Sequence, residues 1–179
     1  MTEIKPLIKK LIVYALLILL CFLLQTSVFS HLELAGVTPN LVLIPVSFFG
    51  FMRGRKEGMI LGFFSGLFLD LFFGNWFGLY ALIFLYIGFL NGVLRTVFYG
   101  DDVKLPLAFI GLSDLFYGCL VYVFLFLFRQ RYSFSFYFLN IILPEAVYTI
   151  VIAILLYYPL LKINSWFDKK DKRSSHTIA

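Results

Sequence analysis

Charge is what this chain has least of. Only 14% of its 179 residues are Asp, Glu, Lys or Arg, against 61% hydrophobic and 20% aromatic, a composition far outside that of soluble domains. No polar stretch is long enough to form a soluble domain of its own. One membrane domain is expected over residues 1–167, followed by a polar tail at 168–179. Histidine is nearly absent, and His31 and His176 fall outside the apolar runs, so a membrane-embedded serine has no base beside it. HExxH, GxSxG, a Walker loop and a nucleotide-binding GxGxxG are all missing. Cys21 and Cys119 lie in apolar runs without CxxC or metal-ligand spacing and read as small embedded side chains. Neither a metal nor a cofactor is implied.

What is present is a succession of apolar runs, at about 11–29, 37–52, 59–73, 77–94, 105–128 and 138–161, which predicts an all-α polytopic protein of six transmembrane helices. The second and third are short. A re-entrant hairpin would leave 53-RGRKE-57 at bilayer depth at a cost of several kcal/mol, so two thin crossings are favoured. The net charge of +5 resides at the ends of apolar runs and forms no patch suited to nucleic acid. Arg53, Arg55 and Lys56 instead act as topology determinants, together with the lysines of both termini, while Arg129 and Arg131 fall on the opposite side. By the positive-inside rule both termini are expected in the cytoplasm. The first run is long for a signal peptide and lacks an A-x-A end, which favours a retained helix. The tail is expected to be disordered or to touch anionic headgroups. Trp76 and Trp166 fall at span boundaries, where indole rings anchor. The stretch 129-RQRYSFSFYF-138 is compatible with an extended segment or an interfacial turn.

Residues 58, 62, 66, 70, 74 and 78 are each four apart and climb one helical ridge. Gly58, Gly62 and Gly66 make consecutive small-xxx-small steps, the pattern that lets two helices pack closely in lipid. Asp70 continues this face, about a turn from the helix end, where water or a loop amide could satisfy it. Asp114 and Glu145 are two further acids at membrane depth with no Lys or Arg at matching depth. Each either ties helices together by hydrogen bonds or takes part in binding another molecule. Asp114, with the least access to water, is the leading functional candidate. Thr38 and Pro39 suit an N-cap and first helical position, whereas Pro45 and Pro144 imply kinks. An aspartyl protease dyad of Asp70 and Asp114 is disfavoured by a depth difference of roughly 10 Å and by the lack of Gly-x-Gly-Asp. A solute-binding membrane protein fits the embedded polar groups better, although no inverted repeat is evident.

Between residues 38 and 92 the sequence resembles the rod shape-determining protein MreD family: Pro39-Asn40 opens a helix, the basic turn Arg53 to Lys56 leads into Glu57-Gly58, and Gly62, Gly66, Leu67 and Asp70 precede a short break at Gly74 and then Gly78-Leu79-x-Ala81-Leu82. The resemblance implies a non-enzymatic scaffold of the bacterial elongation machinery in the inner membrane. Such a scaffold binds MreC and helps couple MreB filaments to the peptidoglycan synthases RodA and a class B penicillin-binding protein. It also implies a fold similar to the substrate-binding S components of energy-coupling-factor transporters, and so an alternative role as a solute-binding transporter subunit. Those components often carry an Ala-x-x-x-Ala stripe on the first helix, where this chain has only Ala15. Pro39, Asn40, Asp70, Asp114 and Glu145 are the candidate partner-binding or structural polar residues.

Overall fold

A computed structural model of the chain describes residues 4–34, 36–73, 77–98, 104–126 and 134–176. In chain order these form α1 (Ile4–Leu23), α2 (Leu43–Arg53), α3 (Arg55–Phe73), α4 (Leu79–Val97), α5 (Lys104–Val121), a short α6 (Phe134–Tyr137) and α7 (Leu143–His176). Single π-turns extend α1 over Leu24–Val28 and α5 over Tyr122–Phe126, and a third, Phe138–Ile142, leads from α6 into α7. Among the described residues the only β pairing is an isolated bridge between Leu34 and Val37.

Among the described residues four helical segments are long and apolar enough to cross a membrane: Ile8–Val28, Leu79–Val97, Leu105–Phe124 and Phe134–Asp168. Against the six crossings expected, these four segments meet the criterion of length and composition. Helix α2 has 11 residues and rises only about 16 Å, half of a ~30 Å hydrocarbon core. Helix α3 has 19 residues but carries Arg55, Lys56, Glu57 and Asp70.

The short α2 is the centre of the bundle. From Leu43 to Phe51 every residue is buried, the pattern of a helix apolar on all sides, and α3, α4, α5 and α7 pack around it. It begins at Leu43, later than its apolar run suggests, so Thr38 and Pro39 are not its N-cap and first turn. Val42 occupies the N-cap position, and Asn40 Oδ1, from two residues upstream, accepts the Leu43 N–H at 3.3 Å. Pro45 then lies in the first turn, where its missing N–H breaks no intrahelical bond, and no kink is needed there. Pro144 lies within the continuous helical segment Phe134–Asp168, directly after the π-turn Phe138–Ile142 and in the first turn of α7. Pro159 falls further along the same helix.

One residue joins α2 to α3. Gly54 adopts φ +97°, a left-handed value that only glycine tolerates well, and its N–H still bonds to the Gly50 carbonyl at 3.0 Å. The basic turn is therefore almost wholly helical. At the other end of the chain α7 continues to His176, so the start of the polar tail, expected to be disordered, prolongs the last helix. Extending an existing helix costs far less than nucleating one.

Candidate functional site

The glycines of α3 face α4. A Cβ on Gly58 would collide with the Gly88 carbonyl, one on Gly62 with the Phe84 carbonyl and one on Gly66 with the Tyr80 carbonyl. The contact is reciprocal: a Cβ on Gly88 would strike Gly58, and one on Gly92 would strike Arg55. Gly50 of α2 joins from the side, its Cβ position 2.9 Å from the Gly88 oxygen. Helices gain little hydrophobic energy from one another in lipid, and this backbone-to-backbone approach supplies the van der Waals contact that holds them. The contact of α5 with α7 and the π-turn before it is of another kind, with Gly111 receiving the side chain of Ile150 and Gly118 that of Ile142.

Asp70 lies at the far end of the same ridge and is buried. Its Oδ1 accepts the Tyr80 N–H at 3.0 Å and its Oδ2 the Ala81 N–H at 2.9 Å. These amides belong to the first turn of α4, which has no acceptor of its own because its N-cap is Gly78 at φ +97°. Asp70 thus caps the neighbouring helix, satisfying two orphan donors and placing its carboxylate at the positive end of that helix. Both carboxylate oxygens of Asp70 are engaged by α4.

Toward the middle of the bundle a polar centre forms around Asn40. The Asn40 N–H donates to Thr149 Oγ1 at 3.0 Å, and the Val42 N–H donates to Gln25 Oε1 at 3.3 Å. The bends before α2 are thereby tied to α1 and α7. Tyr148 adds a bond to the Leu32 carbonyl at 3.0 Å. Asp114, 2% exposed, faces Thr149 and Asn40, but neither carboxyl oxygen reaches hydrogen-bonding geometry with them or with any other described residue. Pro39 is buried next to Asn40. A neighbouring cavity of 480 Å³ has Asn40 and Leu69 on its buried side, Tyr80, Tyr117 and Glu145 along its walls, and Ser30 and Phe73 exposed at its mouth. Separately, Asn91 of α4 donates to Ser113 Oγ of α5 at 2.7 Å.

At the opposite end an ionic cluster ties four helices. Glu57 of α3 accepts from Tyr14 at 2.7 Å, from Lys10 at 3.5 Å and from Arg53. Arg53 also donates to Asn164 at 3.2 Å and to Asp168 at 2.8 Å, both on α7. The buried Phe167 ring lies under the Arg53 guanidinium, 5.3 Å away, and meets Tyr14 edge-on at 5.1 Å. Arg53 is therefore a structural tie, whereas Arg55 and Lys56 remain exposed. Trp166 packs on Phe167 at 5.4 Å. Trp76, Arg129 and Arg131 lie outside the described residues.

Gln25, Thr149, Tyr80 and Tyr117 are absent from the residues that the sequence singled out, and Glu57 entered only as part of the basic turn. Gln25 opens the one polar break near the end of the first apolar run, 25-QTS-27, and that break was the available signal. Thr149 and the tyrosines sit within apolar runs and carry none.

A family model described as rod shape-determining protein MreD matches residues 7–165. No curated protein and no solved structure matches the chain.

Proposed function

Since the chain belongs to the rod shape-determining protein MreD family, which gives it a role in rod-shape determination, we propose that it acts as a non-enzymatic membrane scaffold that binds MreC through a membrane helix. The scaffold would help couple MreB to peptidoglycan synthesis by RodA and a class B penicillin-binding protein. In this reading the chain sits in the bacterial inner membrane with the Arg53–Glu57 end in the cytoplasm, where the basic residues of the positive-inside pattern gather.

A groove between α1 and α3 is the observation that carries this reading. Its volume is 520 Å³, and Leu11, Ala15, Leu19, Ile60, Phe64 and Phe68 line it. Helix α1 touches the bundle through large side chains, such as Tyr14 on Phe49 and Phe22 on Phe68. It does not approach α3 as closely as α4 does, and the groove is the space that remains. Leu11, Leu19, Ile60 and Phe64 stay exposed along it. An apolar helix can lay its face there, with Ala15 giving room for close approach.

The test is co-purification of MreC in mild detergent with Ala15→Trp and Ile60→Trp, which fill the groove. The expected result is loss of MreC from a bundle with unchanged melting temperature. Full retention of MreC by both variants would refute the reading. The S-component-like alternative, a solute-binding subunit of similar fold, is favoured by one feature, the polar cavity. It predicts recovery of an ATPase-linked transporter subunit in the same purification.

A further inference from the structure

The cavity beside Asn40 has a chemistry that the scaffold role does not use. Its mouth, at Ser30 and Phe73, opens at the end of the bundle remote from the Arg53–Glu57 cluster, and its depth is reached through Gln25, Thr26 and Thr38. Among the residues that line it Glu145 is the single charged group, and no described cation or hydrogen-bond donor occupies its carboxylate. Asp114 lies within electrostatic range of Glu145 and likewise has no bonded partner among the described residues. Two acids without a counter-charge among the described residues are expensive to keep ionised in a low-dielectric interior, and a bound cation relieves that cost.

The remaining walls suit a particular cation. The rings of Tyr80 and Tyr117 lie 6.4 Å apart at an interplanar angle of 31°, and Phe73 stands at the entrance. Aromatic faces attract an ammonium group through the ring quadrupole. Hydroxyl and amide groups from Gln25, Thr26, Ser30 and Thr38 can hydrogen-bond the polar atoms attached to it. A volume of 480 Å³ falls within the range of small-molecule sites and admits a group of headgroup size.

We propose that this cavity binds a primary ammonium group, carried by a phosphatidylethanolamine headgroup or by a free amine, with Glu145 as counter-ion and Tyr80 and Tyr117 as aromatic walls. The site is independent of the α1–α3 groove, so MreC retention and amine binding report on separate claims.

The test uses the full chain in detergent micelles. Native mass spectrometry measures retention of dioleoylphosphatidylethanolamine against dioleoylphosphatidylglycerol, and a parallel titration uses ethanolamine. The expected result is preferential retention of the ethanolamine lipid, reduced roughly tenfold or more by Glu145→Gln, as follows from loss of a charge-assisted contact. Glu145-dependent binding of free ethanolamine without lipid preference also supports the site and assigns a soluble source. Ser30→Trp, at the exposed mouth, should block binding without touching the core, and it keeps the test decisive if Glu145→Gln fails to fold. Equal retention of both lipids with no ethanolamine binding, or binding unaffected by the folded variants, would overturn the proposal.

Discussion

Replacing Gly62 by alanine adds one methyl group where α3 meets α4. Its Cβ would lie 2.7 Å from the Phe84 carbonyl carbon and 3.2 Å from the Leu85 Cα, and closer still to the Phe84 oxygen. Ordinary contact begins at 3.4 Å, so the two backbones must part by roughly 0.7 Å or more, and backbone cannot swing aside as a side chain does. Parting them also loosens the adjoining contacts at Gly58 and Gly66. Overpacking typically costs 1–3 kcal/mol, and a contact with no rotamer to relieve it falls in the upper half, about 2–3 kcal/mol. That lowers the ratio of folded to unfolded protein by roughly 30- to 150-fold. Reversible unfolding in mixed micelles measures it. Gly111→Ala is the control, since its Cβ meets only the flexible end of Ile150, and a loss below about 1 kcal/mol is expected there. Equal stability of Gly62→Ala and the parent chain would refute the close-packing argument, as would a larger loss for Gly111→Ala.

Asp70→Asn keeps one acceptor and turns an NH2 group toward an amide donor of α4, so a loss of about 1–2 kcal/mol is expected, with faster hydrogen exchange at Tyr80 and Ala81. Parent-like exchange at both amides would contradict the capping role. Arg53→Met removes the group that joins Glu57 to Asn164 and Asp168 and should cost about 1–3 kcal/mol in the same assay, discounted because both acids are partly exposed. A stability change within about 0.3 kcal/mol would show that the cluster is solvated and weak. Asn91→Ala cuts the bond to Ser113 and should cost about 1 kcal/mol, seen as a lowered melting temperature.

Spacing made part of this legible. Glycines four apart define a face that another backbone can approach, and Gly58, Gly62 and Gly66 do meet one. The spacing does not name the partner, which is the next helix in the chain and itself carries Gly88 and Gly92. The fate of Asp70 turns on Gly78, a cap without a side chain eight residues further along the chain; a single-sequence reading sees the acid but not the pair of amides turned toward it. Apolar length alone does not separate a lipid-facing helix from a central one, because a helix buried on all sides reads like one that faces lipid, and α2 is buried throughout from Leu43 to Phe51. The first turn of a helix accepts proline, so Pro45 looks like a kink only while the helix is placed six residues too early. Arg53 was hidden by its own neighbourhood, since a basic run at a span end is explained by topology until Glu57, Asn164 and Asp168 are brought together by folding.

The scaffold account stands most directly on where a partner's helix touches this chain. Photo-crosslinkers placed in living cells at Ala15 and Ile60, in the α1–α3 groove, and at Leu155, a 70% exposed position on α7, measure it. The account predicts an adduct with MreC from both groove positions and none from Leu155. Adducts from Leu155 with none from the groove would contradict it.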